Sequence, residues 1–105
     1  HAQVHRAQQL RPGTILKLLE ATDAFRRPDR FDELLAACEA DACGRAGLAG
    51  QPYPQADYLR RARAAGAAVT LTSAERQGLA GPAVGERMRA KRLEALQSLC
   101  APQAD

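Results

Sequence analysis

Between residues 78 and 92 the chain reads GLAGPAVGERMRAKR: Gly78, Gly81 and Gly85 surround Pro82, and Arg87, Arg89, Lys91 and Arg92 follow. This stretch resembles, in outline, the hairpin of helix-hairpin-helix modules. Glycine serves where φ must be positive or where a partner approaches the backbone closely. Pro82 suits a first helical turn, in which its missing N–H costs no hydrogen bond. The N–H groups around Ala83, Val84 and Gly85 are then expected to point outward from a positive helix terminus, a suitable setting for a phosphate oxygen. A helix continuing from there places Arg87 and Lys91 one turn apart on one face, with Arg89 and Arg92 on an adjacent one. Together they form a cationic track for a nucleic-acid backbone, while Val84 and Met88 turn toward the core. No aromatic residue interleaves with these charges, so recognition is expected to follow shape and phosphate, without base stacking. The alternative is a tight helix connection whose glycines allow close packing and whose basic side chains are solvated.

A second group with chemical potential is His1, His5, Asp23, Glu39 and Asp41. Histidine and aspartate at separated helical positions can hold a divalent metal in a phosphohydrolase. These residues alone do not complete such a site. By themselves, His5 reads as a partly exposed helical residue and Asp41 as a surface acid.

The elements that position both groups are helical. Val, Ile, Thr, Tyr and Phe are few and never alternate, whereas Ala, Leu, Arg and Glu dominate. The pattern predicts an all-α chain, a small bundle of about five helices joined by Pro and Gly turns. The first opens at Pro12 and carries Ile15, Leu18 and Leu19 on one face, continued by Thr22 and Phe25. Arg27-Pro28 breaks it and starts the second, with Phe31, Leu34, Leu35, Cys38 and Ala42 at amphipathic spacing. Residues 46–54 (AGLAGQPYP) read as a loop, the best boundary between residues 1–48 and residues 49–105. A third helix follows, burying Tyr58 or Leu59, Ala62 and Val69. Thr72 and Glu75 form a capping-box pattern for a short fourth helix ending at Gly78. The fifth runs from Pro82 to about Cys100, with Val84, Met88, Ala95 and Leu99 inward.

The chain has 105 residues, a formal charge of +3 and an apolar share of 46%, much of it alanine, with two Phe and two Tyr. A core so thin in large side chains depends on close helix packing or on a neighbouring domain. Residues 1–59 carry seven Lys/Arg against eight Asp/Glu, and residues 60–105 carry eight against four, which points the second half at an anionic partner. Three cysteines (Cys38, Cys43, Cys100) without metal-like spacing fit a reduced, cytoplasmic protein. No apolar run approaches membrane-spanning length. The first residue is His, and a fragment is expected.

Four stretches, ILKLLEATDAFRRPDRF, LLAACEADACGRAGL, YPQADYL and GLAGPAVGERMRAKRLEAL, resemble the C-terminal part of bacterial CCA-adding tRNA nucleotidyltransferases of the HD-domain-bearing branch. The DAFRRP–EADACGR pair and the GLAGPAVG turn are its most specific pieces. The resemblance implies an enzyme that adds C, C and A to tRNA from CTP and ATP, with Mg²⁺ held by an N-terminal head outside this stretch. It also implies an HD domain with metal-dependent phosphohydrolase activity, whose last helices would be residues 1–48. Residues 49–105 would be a helical tail, with Gly78, Gly81, Gly85, Arg87, Arg89, Lys91 and Arg92 toward tRNA. In HAQVH, His1 would match the histidine of a His-Asp dyad, but Ala2 stands where aspartate is needed. Asp41 would be a late acidic metal ligand, and Asp23 the next choice. No catalytic residue, bound metal or nucleotide is expected on this stretch alone. Two rival expectations are residual phosphohydrolase activity through His1, His5 and Asp41, and a protein-protein or dimer interface at the glycine turn and final helix. The oligomeric state is open.

Overall fold

A computed structural model describes residues 2–44 and 52–100. His1 and the predicted loop residues 46–51 lie outside the described residues. The elements are α1 (Ala2–His5), a 3₁₀ turn (Ala7–Gln9), α2 (Pro12–Ala21), α3 (Pro28–Gly44), α4 (Pro54–Ala67), α5 (Ser73–Gly78) and α6 (Pro82–Cys100). No strand occurs among the described residues, and the all-α expectation holds. Proline opens α2, α3, α4 and α6, where its fixed φ fits the first turn and its missing N–H is not needed. The short α1 and the 3₁₀ turn are additions to the five expected helices.

The first long helix ends earlier than expected. Instead of running to Phe25, α2 stops at Ala21, and Asp23 takes a left-handed φ of 55°. The Ala24 N–H donates to the Leu19 carbonyl at 2.9 Å and the Asp23 N–H to Glu20 at 3.1 Å. These two bonds form a Schellman closure, and buried Leu19 and Ala24 supply its apolar pair. Aspartate tolerates the left-handed region better than most side chains. The Thr22 hydroxyl donates to the Leu18 carbonyl at 2.8 Å, closing the turn from the side. This early stop lets the chain fold back and puts Phe25 against α4 and α6.

The core follows from the helical spacing. Ile15, Leu16, Leu18 and Leu19 are buried on α2, Phe31, Leu35 and Cys38 on α3, and Ala56, Leu59, Ala62 and Gly66 on α4. Leu34 and Tyr58 are half-buried, and Val69 lies past the end of α4. Val4 and Ala7, from the added N-terminal turns, complete it. One apolar cluster thus draws from both sides of residues 45–51. The layout is flat, 55 × 36 × 17 Å, about two helices thick. Alanine and glycine at the contact positions let helices approach closely enough to fill it.

On α6 the buried face is rotated from the expected one. Leu96 is fully buried and Leu93, Leu99 and Cys100 pack against the core, whereas Val84 and Met88 lie outside that cluster. The reason is Arg92. Its guanidinium sits 4.1 Å from the Phe25 ring centroid, and its Nε donates to the Gly66 carbonyl at 3.3 Å. The aliphatic stem of arginine can line an apolar face while its head stacks on an aromatic ring. Gly66 makes the space, since a Cβ there would lie 2.7 and 2.8 Å from two Phe25 ring carbons. Gly66→Ala is therefore expected to lower unfolding stability by about 2 kcal/mol. In denaturant titrations, adding Phe25→Leu should recover part of that loss. Full additivity would show that the ring is not what excludes the methyl group.

Candidate nucleic-acid interface

The 78–85 bend is exposed, as the sequence suggested, but its backbone is less open. Gly81 has φ +57° and needs glycine, while Gly78 and Gly85 have nothing within 4 Å of an added Cβ. The amides of Ala83 and Val84 do not point outward unbonded. They turn back to the carbonyls of Ala80 and Gly81, at 3.3 and 3.2 Å. The expected cradle of N–H groups is corrected on this point. The tight turn before Pro82 supplies its own acceptors to the helix start.

The cations after the bend divide among three neighbours. Arg87 Nε lies 2.9 Å from Glu75 Oε2, and Lys91 Nζ lies 2.9 Å from Glu75 Oε1. Lys91 also donates to the Thr70 carbonyl at 2.7 Å. Arg89 grips Glu20 of α2 with both ends of its fork, at 2.9 and 3.1 Å. Arg92 goes inward to Phe25 and Gly66. The helix therefore does not present one uniform cationic track. Arg87 and Arg89 remain 48% and 46% exposed and open to a further partner, whereas Lys91 is 24% exposed.

Glu75 holds these contacts from α5. The Thr72 hydroxyl accepts the Glu75 N–H at 3.1 Å, and the Glu75 carboxylate accepts the Thr72 N–H at 3.0 Å. The same carboxylate thus closes the capping box and binds two α6 cations. The Thr72 N–H, then Lys91 and Arg87, pull its pKa down from 4.5 to about 2. Glu20 raises the pKa of Arg89 through their hydrogen bonds, keeping that side chain charged. The sequence pattern identified the cap. It did not identify Glu75 and Glu20 as counter-ions, because both pairs join residues far apart in the chain.

The other group of candidates is divided between the corner where α1, α3 and α4 meet and the turn after α2. His5 Nδ1 lies 2.7 Å from the Tyr53 hydroxyl, and His5 Nε2 lies 3.7 Å from Asp41 Oδ2. Gln55 donates to the His5 carbonyl at 3.0 Å, so this corner ties α1 to α4. Burial pushes the Tyr53 hydroxyl up to about 12, so it stays protonated and available as a donor. Asp23 lies in the α2 turn, with Arg26 and Arg27 at 3.8 and 3.6 Å. Glu39 is exposed on α3. Among the described residues, no group of three or more His, Cys, Asp or Glu is placed to hold a metal ion. His5 and Asp41 by themselves supply two ligand side chains, fewer than a closed metal site takes. Tyr53 and Tyr58 were missed as polar anchors. The Tyr58 hydroxyl meets the Cys100 sulfur at 3.0 Å.

The depressed Glu75 carboxyl has a pH consequence. Its folded pKa lies below its ordinary value, so its contribution is full above about pH 4.5 and is lost as pH falls toward 2. A carboxyl titration followed by NMR should place Glu75 near 2, with α5 amide protection falling in step. A midpoint near 4.5 would contradict the triple contact.

No family model matches the chain, and no solved structure does. It is similar to the multifunctional CCA protein of Nitrosococcus oceani, 56% identical over 97 residues, covering 92% of this chain and 24% of that protein. The protein of that name from Thioalkalivibrio sulfidiphilus is 52% identical over 99 residues, 94% of this chain and 24% of the relative. That from Pseudomonas fluorescens strain Pf-5 is 49% identical over 98 residues, 93% of this chain and 24% of the relative. The chain spans about a quarter of the length of the curated relatives it matches. Similarity at this level, running almost end to end, makes the chain a segment belonging to the multifunctional CCA protein family.

Proposed function

We propose that the chain is the C-terminal, tRNA-facing brace of a CCA-adding nucleotidyltransferase. Residues 1–48 are the last helices of an HD-type phosphohydrolase domain, and residues 49–105 are the tail. The polymerising head, with its Mg²⁺, CTP and ATP, belongs to the part of the protein outside this stretch. The observation that carries this reading is the 56% identity over 97 residues to a multifunctional CCA protein. The basic second half and the exposed turn before α6 support it further. No described helix is long and apolar enough to cross a membrane.

Within this reading the seven candidate RNA contacts take unequal parts. Arg87 and Arg89 reach backbone phosphates, being half exposed at the ends of their pairs. Gly78, Gly81 and Gly85 leave the turn clear so that an RNA strand can pass close to it. Lys91 and Arg92 act first within the bundle and contribute mainly to the local field. His1 and Asp41 would serve a metal only with ligands from elsewhere in the HD domain.

The test is tRNA binding by the complete protein across a salt series. Removing both half-exposed arginines, as Arg87→Ala with Arg89→Ala, should weaken tRNA binding and make the salt slope shallower by about two. Circular dichroism checks that the helices persist. Unchanged affinity with an unchanged slope would remove α6 from the RNA surface.

A further inference from the structure

Helix α5 has an unusual attachment. None of its residues is buried. Leu71, just before it, is 6% exposed and enters the protein interior. Beyond that point α5 is joined to α6 chiefly through one carboxylate, Glu75, which binds Arg87 and Lys91 together. Two cations on one anion leave a local charge of +1. Arg76, the next residue, is exposed and has no ion pair among the described residues. The patch therefore has an excess of positive charge held around an internal counter-ion.

We infer that Glu75 is an exchangeable counter-ion, and that an RNA phosphate takes its place on Arg87 when RNA docks. This deepens the tRNA-facing reading and rests on it. The two cations are not equivalent in this exchange. Lys91 has a second acceptor in the Thr70 carbonyl at 2.7 Å and is only 24% exposed, so it stays in place. Arg87 has Glu75 alone and is 48% exposed. Its guanidinium can present a second N–H edge outward and then rotate fully onto a phosphate, which it binds in a forked geometry as well as it binds a carboxylate. Glu75 keeps the Thr72 N–H and Lys91 after the swap, so its carboxylate is never stranded.

Exchange makes Glu75 a competitor of the ligand. It masks Arg87 in the free protein, reduces binding to stray polyanions, and loosens one tie of α5 in the complex. A phosphodiester is favoured over an acidic protein segment because neighbouring Arg76 and Arg87 suit the repeating charges of a nucleic-acid strand. The exposed glycines of the 78–85 turn also leave the approach clear.

Three variants of the complete protein test this with tRNA as the probe. Glu75→Gln keeps the cap's hydrogen bonds but releases Arg87. It should tighten tRNA binding roughly two- to fivefold at low salt and steepen the salt slope by about one. Glu86→Gln removes an exposed acid one residue from Arg87 and is the control for long-range charge. An equal gain from both variants would overturn the exchange and leave only a general field effect. Arg87→Ala should cancel the gain when combined with Glu75→Gln, and a gain that survives would also overturn it. Hydrogen exchange supplies a readout independent of affinity: tRNA should lower amide protection in α5, where a merely shielding contact would raise it. If Arg87→Ala weakens binding while Glu75→Gln changes nothing, the RNA surface stands and the exchange fails. If neither variant alters binding, the exchange fails, and the RNA-facing reading fails as well only if the Arg87→Ala, Arg89→Ala double variant is also unchanged. Tightening toward poly-glutamate but not tRNA would assign the patch to an acidic protein.

Discussion

The guanidinium of Arg92 lies over the Phe25 ring, and Gly66 leaves room for that ring on α4. Three elements meet there: the turn after α2, the inner face of α4 and the middle of α6. Among its described residues α6 buries one apolar side chain fully, Leu96. A single aromatic ring clamped between a glycine and an arginine is therefore a large share of what registers α6 on its neighbours. Cation–π contacts of this kind are worth about 0.5–2 kcal/mol, more as water is excluded. With Arg92 set in the crevice, Leu96 falls one turn later into the core and Arg89 one turn earlier against Glu20. Arg87 and Lys91 then point toward α5.

Position along α6 thus decides what each positive charge does. Near its middle, charge is converted into packing. Toward its N-terminal end, the same residue types lie at a surface where solvent screens them, and an exposed ion pair there contributes about 0–1 kcal/mol. Such pairs are inexpensive to open. On the proposed reading, a polyanion that offers Arg87 or Arg89 a phosphate would displace a weak partner, with counterion release favouring the change. A helix bound rigidly at one end and loosely at the other can hold its place in a bundle and still meet an RNA strand.

Much of this architecture was legible in the residues. Pro12, Pro28 and Pro82 mark helix starts that the structure keeps, and Thr72 with Glu75 form the expected capping box. These are local signals, set by φ restriction and by hydrogen bonds within one turn. Misplaced features depend on distant partners. Arg92 was grouped with the outward cations because a helical wheel cannot reveal an aromatic ring 67 positions earlier in the chain. The α2 helix was extended to Phe25 because its apolar spacing continues through a turn closed by Asp23 in the left-handed region. The amides of Ala83 and Val84 were expected to be open because the tightness of the turn before Pro82 is a matter of geometry, not composition. At the corner of α1 and α4, Tyr53 and Gln55 reach His5 across about fifty positions, which no spacing rule detects.

The most direct measurement is a double-mutant cycle on Phe25 and Arg92, using Phe25→Leu and Arg92→Met and reading unfolding free energy in denaturant. Methionine keeps an apolar stem and removes the cation. A coupling energy of about 1 kcal/mol is expected if the stacked pair sets the register of α6. Additivity within about 0.3 kcal/mol would contradict it, because the two side chains would then be neighbours without being partners.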